Sequence, residues 1–419
     1  MCRERFARTS GSFVDNAAPA LLHRSVKWRN QLLAVGCLVL FAALGVLYFR
    51  NWVVQKPFAV ILFIGEGLTA ERLAATRVYV AGAETPLAID SLPSSARLRN
   101  YSADFAVPDT GAAASAFATG AKVRNGALSV NESGAALRTI LELAQEQGRA
   151  IGLVSDGELT NPALAAFYAH STNAKSAAQF ANRLVNHTHI DVALGGGGAR
   201  FENKLQRNDI RLVRTRAKLE DTGAGNRLFG IFADADLAFT DELAARAEQP
   251  SLADMTRRAI ELLEVNRRGY LLVVNAHLMA SAAWQNLGER TLRETAELDN
   301  AVKVARDYAG ASSTIIVTGD VAIGGMSVNG FPFRHDSGVS ILGLNSAGQP
   351  WVTWATGPNG PSEAPAPSAT PPLEPAALAA PAALNAIADP VAAGAGLGLE
   401  KLHGTIDNTE LFSILRDAL

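Results

Sequence analysis

Cysteine is nearly missing from this chain of 419 residues: there are two, Cys2 and Cys37. Everything beyond Cys37 therefore folds without disulfides, and a segment of that size, in a chain with 48% hydrophobic residues, has core enough not to need them. A surplus of charge is missing as well. Lys and Arg total 38 against 40 for Asp and Glu, a formal net charge of −2, which removes the electrostatic argument for a nucleic-acid partner. Histidine is scarce too, with seven in all. His23, His170, His187, His189 and His403 show no ligand spacing, whereas His277 and His335 (the latter beside Asp336) follow strand-like segments.

What the chain does have is one long apolar run. Leu32–Phe49 carries no charge over 18 residues, the lower limit for a membrane-spanning helix, and Trp28, Tyr48 and Trp52 sit where interfacial aromatics belong. Arg3, Arg5, Arg8, Arg24, Lys27 and Arg29 precede it, while only Arg50 and Lys56 follow closely. The positive-inside rule then places the N-terminus in the cytoplasm and the bulk of the chain outside, periplasmic or extracellular. A cleaved signal peptide is the rival reading. It fits less well, because the run exceeds a usual h-region and no clear small-residue cleavage site precedes Phe58. The expected organisation is a cytoplasmic tail at 1–29, a single-pass anchor at 30–52 and one folded domain at 58–419.

Past the anchor, short apolar runs alternate with amphipathic stretches. Ala59–Ile64, Ala150–Ser155, Val192–Leu194, Leu228–Phe232, Tyr270–Val274, Thr314–Thr318 and Trp351–Thr356 read as buried strands. That alternation predicts an α/β domain with a mainly parallel central sheet and helices on both faces. Ser251 with Asp254, and Asp407 with Glu410, have capping-box spacing ahead of helical patterns. Between 357 and 393 the sequence turns Pro- and Ala-rich, which predicts a surface excursion without strand pairing. Gly195–Gly198 follows a strand but lacks the Lys-Ser/Thr of a phosphate loop, so it reads as a tight turn.

Two positions stand out chemically. Glu66 ends an apolar strand in AVILFIGEG, the place where open α/β sheets bind ligands, so it is either a metal-ligand candidate or a solvated turn residue. Thr110 follows Asp109 and opens an Ala-rich helix in VPDTGAAAS. Its hydroxyl lies where free N–H groups and the helix dipole favour a phosphate, although a plain N-cap has the same pattern.

Together these segments resemble the alkaline phosphatase family. FIGEG is similar to the family's strand ending in Gly-Asp-Gly, Pro86–Ser91 to its Pro-Leu-x-x-Asp-Ser segment, VPDTGAAAS to its nucleophile motif and Ala118–Lys122 to the continuation of that motif. Pro162–His170, Asp191–Gly197, Glu297–Val302, Val317–Gly325 and Gly404–Phe412 continue the likeness in order to the end of the chain. The resemblance implies a three-layer sandwich. It also implies two zinc ions, one magnesium, a Ser or Thr nucleophile and an Arg that clamps the phosphate.

Carried over residue by residue, the site is degenerate. Thr110 matches the nucleophile, Glu66 the metal-bridging Asp, and Asp320 a zinc-ligand Asp. Val321 falls where a His ligand is expected, Asn275 on the magnesium-side Glu, and Ala280 and Trp284 on an Asp and a His of the zinc cage. Asn161 and Ala163 replace the other magnesium-side pair, Ala174 the clamping Arg, and Asn385 the last zinc His. Glu66, Asp320 and Thr110, with Asp109 beside them, are left as oxygen donors, a set that suits no metal or one divalent ion, Mg²⁺ or Mn²⁺ in preference to Zn²⁺. The expectation is a membrane-anchored family member with lost or strongly reduced two-zinc phosphomonoesterase activity that keeps a cleft for a phosphorylated small molecule. The rival expectation is an active hydrolase using Thr110 and a single oxygen-ligated metal.

Overall fold

In the computed structural model the described residues are 20–48, 58–201, 204–225, 227–329, 344, 347–360 and 377–419. The N-terminal unit holds one helix, Ala20–Tyr48, whose stretch Trp28–Tyr48 is long and apolar enough to cross a membrane. Length and composition of this kind suit an anchor and a signal sequence alike.

The second unit, Lys56–Leu419, is built on a ten-stranded sheet. From one edge to the other the order is His403–Asp407, Ser94–Arg99, Val391–Ala395, Ser313–Gly319, Ala59–Gly65, Tyr270–Ala276, Ala150–Glu158, Val192–Gly196, Arg227–Ile231 and Ile210–Val213. All neighbours are parallel except for Val391–Ala395, which runs antiparallel to the strands on both its sides. Alternate residues of the first strand feed two separate cores. Val60, Leu62 and Ile64 face one, with the helices around Phe117, Leu141, Leu164 and Leu415. Ala59, Ile61 and Phe63 face the other, with Met255, Leu278 and Leu298. Period-two alternation of wholly apolar residues is what a strand buried on both faces requires, and the result is the three-layer sandwich that the sequence predicts.

Six of the seven predicted strands lie in this sheet. Trp351–Thr356 does not: it supplies Val352–Thr353 and Thr356–Gly357 to two small two-stranded sheets, half-buried beside the main body. The excursion at 357–393 is corrected in the opposite sense. Residues 361–376 lie outside the described residues, but Leu378–Ala379 and Asn385–Ala386 pair as short strands. Val391–Ala393 enters the central sheet itself, because the prolines stop at Pro390 and small side chains then permit pairing on both edges. Ser251 and Asp254 form the predicted capping box, on the helix Leu252–Leu263. At the C-terminus the N-cap is Thr409 rather than Asp407, whose carboxylate instead accepts from the Thr409 N–H and hydroxyl.

The helix Gly288–Tyr308 lies against the first strand through Leu298. A Cβ added at Gly65 would come within 2.8 Å of the Leu298 Cδ2, so the absence of a side chain at Gly65 sets how closely helix and strand approach. Leu298 is fully buried, and Leu298→Ala leaves a cavity directly behind the strand that ends in Glu66. We expect a loss of about 2–5 kcal/mol in urea unfolding; a loss under ~1 kcal/mol would show that this helix does not bear on the sheet as described.

Candidate active site at the end of the central sheet

Register explains how the site is assembled. Gly65 pairs with Ala276 on one side and with Gly319 on the other, so Glu66, His277 and Asp320 are each the next residue after one of three adjacent parallel strands. They emerge side by side at the carboxyl edge, where such sheets place their ligands. Asn275, one residue earlier, pairs with Ser155 of the next strand, which brings Asp156 to the same edge.

Glu66 is fully buried. The Asn275 Nδ2 donates to its Oε1 at 2.7 Å, and the His277 Nδ1 lies 3.0 Å from its Oε2. Asp320 is fully buried too, and its Oδ1 accepts from the backbone N–H of Gly67 at 2.8 Å and of Val321 at 2.6 Å. Its Oδ2 has no hydrogen-bond partner among the described residues. Burial and then the charge of Glu66 push the Asp320 carboxyl up to about 7, against the pull of the two backbone donors and the nearby Thr110 hydroxyl. Glu66, Thr110 and Asp320, the three predicted donors, thus converge.

Asp109 has a different part. It is the N-cap of the helix Thr110–Thr119, its Oδ1 accepting from the Ala112 N–H at 2.7 Å and its Oδ2 from the Gly126 N–H at 2.5 Å. Both oxygens hold backbone in place, so the cap fixes the attitude of Thr110.

His277 is the centre of a second polar layer. Its backbone N–H donates to the Asp156 Oδ1 at 2.6 Å, its Nε2 lies 3.4 Å from the Asp236 Oδ2, and its ring meets the edge of Trp284 at 5.6 Å. Burial alone would lower its pKa, but Glu66 and Asp236 outweigh that and hold the ring well above the ordinary histidine range. An imidazolium donates both N–H groups, so Nδ1 serves Glu66, and the Asn161 Nδ2 at 2.9 Å is a close neighbour rather than a donor to it. Asp156 and Glu294 are both buried, each with one carboxyl oxygen lacking a partner among the described residues. Burial pushes each to about 7, and the charge of Glu294 adds to the shift at Asp156.

Among the described residues no group of three or more His, Cys, Asp or Glu side chains is placed to hold a metal ion. Three of the degenerate positions, Ala280, Val321 and Trp284, lie in an apolar cluster with Ala113, Ala283, Ile323, Ala383 and Trp354. Asn385 pairs with Ile323 and its Nδ2 donates to the Pro108 carbonyl, and Asn161 caps the short helix Pro162–Ala165. Ala174 donates its N–H to the Gly126 carbonyl and packs against the core. These residues do not fit two zinc ions and a magnesium. His335 and Asp336, the sequence candidates for a rearranged site, lie outside the described residues.

A family sequence model described as alkaline phosphatase matches residues 58–350. The chain belongs to the alkaline phosphatase family. Among curated relatives it is 30% identical over 289 residues to alkaline phosphatase 4 of Bacillus subtilis, which covers 64% of this chain and 62% of that protein. It is 29% identical over 343 residues to the alkaline phosphatase of Escherichia coli, covering 65% of this chain and 72% of that protein. The chain thus spans about three-fifths of the length of the Bacillus relative. The alkaline phosphatase of the Antarctic bacterium TAB5 superposes with a TM-score of 0.70 at 18% identity, over 87% of this chain and 98% of that one. That of Thermus thermophilus gives the same score at 21% identity, over 87% and 92%. These two likenesses carry the fold.

Arg72, Asp156, Asp236 and Glu294 are the site residues that the sequence does not betray. Arg72 sits in the helix Ala70–Ala81 among residues that read as an ordinary amphipathic surface, and Asp236 is in a loop far from any motif. The only local hint at Arg72 is its place one turn beyond the Gly-Glu-Gly corner.

The titrations have one sign. Asp156, Glu294 and Asp320 ionise near 7 in the fold against 3.8, 4.5 and 3.8 otherwise, and His277 is raised above 6.5. Each binds its proton more tightly folded than unfolded, so the stability it contributes is present at low pH and is lost as the pH rises through the folded value. Carboxylates held low, such as Glu142 and Asp407, titrate below this window and do not offset the trend. The melting temperature of the full chain should therefore fall between pH 5 and 9, with a shallower slope in Glu294→Gln. A melting temperature that climbs across that window contradicts this account.

Proposed function

We propose that this chain is a membrane-tethered member of its family in which two-zinc phosphomonoester hydrolysis is lost or strongly reduced, the cleft being kept as a site for a phosphorylated small molecule. The observation that carries the reading is that Ala280, Val321 and Trp284, at positions where the family resemblance asks for metal ligands, are packed into one apolar cluster. Ala, Val and Trp offer no donor suited to zinc. Two-metal catalysis needs both ions to steady the attacking and leaving oxygens, and Ala174 supplies no phosphate fork. The Thr110 hydroxyl is a weak nucleophile without a base or metal to lower its pKa, yet it keeps its place at a capped helix N-terminus that favours an anion.

The purified full chain should hydrolyse an aryl phosphate weakly or undetectably at alkaline pH, with or without added zinc, and Thr110→Ala should change nothing. One missing transition-state donor costs ~10²–10³ in rate, and several are missing here. Strong zinc-dependent turnover abolished in Thr110→Ala overturns the reading.

A second reading keeps an active hydrolase with a single Mg²⁺ or Mn²⁺, as family membership favours. The unpartnered Asp320 Oδ2 near Thr110 speaks for it. The engagement of both Glu66 oxygens by Asn275 and His277 speaks against it. Turnover with Mg²⁺ or Mn²⁺ alone, lost in both Thr110→Ala and Asp320→Ala, selects that reading.

For placement we propose a cytoplasmic N-terminus with the domain in the periplasm or extracellular space, on the Arg- and Lys-rich flank before the apolar helix. Among curated relatives the membrane-bound alkaline phosphatase of Bombyx mori is 25% identical over 349 residues. A fluorescent reporter that matures only in the cytoplasm, fused after Leu419, should stay dark; fluorescent cells reverse the topology.

A further inference from the structure

Two carboxyl groups buried side by side either share a proton or need a positive charge, and where no metal is bound that charge has to come from the chain. Arg72 is 2% exposed, which is rare for an arginine. Its Nη1 donates to the Glu66 carbonyl at 3.5 Å. Its guanidinium lies on Gly67, where a Cβ would stand 2.4 Å from Nη1. Gly67 takes a φ of +84°, and its N–H is the donor to Asp320. One glycine therefore does two things: its turn presents an N–H to Asp320, and its missing side chain makes room for a buried cation behind the same corner.

We infer that Arg72 is the built-in counter-cation of the Glu66–Asp320 pair, supplying in charge, though not in coordination, what a metal ion would supply. The inference rests on the reading of a cleft without metals. Arg72 acts through the field rather than by contact, since among the described residues no ion pair joins it to either carboxylate. Burial lowers its pKa to about 10 while Asp320 opposes the shift, so it stays charged at neutral pH. His277 lies between Glu66 and Asp236. A fixed guanidinium next to the pair also repels an incoming divalent cation, so the arrangement excludes what it replaces.

The test uses the full chain in mild detergent. Elemental analysis should find no stoichiometric metal, and the melting temperature should not move with EDTA or with added Zn²⁺, Mg²⁺ or Mn²⁺. Arg72→Met should lower it by roughly 5 °C or more, as expected when a buried charge loses its partner. Adding Asp320→Asn to Arg72→Met should recover most of that loss, a coupling that a packing role does not give. A wild-type chain stabilised by several degrees by a divalent cation overturns the inference, and that titration decides even if Arg72→Met does not fold. Equal effects of Asp320→Asn in both backgrounds overturn it as well. Metal-independent phosphatase turnover, in contrast, sinks the reading of lost activity and leaves the role of Arg72 standing.

Discussion

The structure of the site depends on one constraint: three parallel strands end at the same level, and each is followed by an ionisable side chain with little or no access to water. Glu66, His277 and Asp320 cannot move apart, because the pairing of Gly65 with Ala276 and with Gly319 fixes their heights. Removing charge from water is costly, and a buried group either finds a partner or gives up its charge. Each neighbour of the three can be understood as an answer to that demand. Asn275 turns its amide toward Glu66, the Gly67 corner offers an N–H to Asp320, Asp236 faces the far side of His277, and Arg72 is drawn in behind the corner.

The same constraint explains why the fold was legible in the sequence and the site only half so. A strand buried on both faces is written as a largely apolar run, as in Ala59–Gly65, Tyr270–Ala276 and Ser313–Gly319. Glu66 and Asp320 are visible because they interrupt such runs at their ends. Trp351–Thr356 has strand-like composition but is only half-buried, and tertiary context rather than propensity decides such segments. Val391–Ala395 was hidden for the converse reason. Alanines and a glycine give no β signal, yet small side chains are what a strand needs when it is inserted between two others with Ile315 and Leu402 pressing on Gly394.

Arg72 shows where local pattern runs out. Nothing in AERLAATR separates it from Arg77, which lies one turn and a half further on and makes a partly exposed ion pair with Asp90. The difference comes from Gly67: its corner at φ +84° presents an N–H to Asp320, and its missing side chain leaves room for the Arg72 guanidinium. Asp109 is the opposite case, since its position before a helix was plain but the number of backbone donors converging on it was not. Gly126, which donates to the second oxygen, arrives from a separate loop.

The apolar cluster and the buried arginine are more informative together than apart. A metal site stabilises the folded chain, because binding energy becomes folding energy. Deleting ligands alone would leave Glu66 and Asp320 as uncompensated buried charges, the kind of change that destabilises most. Inserting a cation alone would set it against bound metal. On the reading proposed above, filling the cage with Trp284, Val321 and alanines while placing a guanidinium behind the carboxylates would meet both demands at once, with apolar burial in place of coordination as the source of cohesion and Arg72 in place of the ion as the source of charge. Either way, Glu66 and Asp320 stay together because the three strands end at one level; the proposed role of Arg72 is one way the chain would supply the charge that such a pair demands.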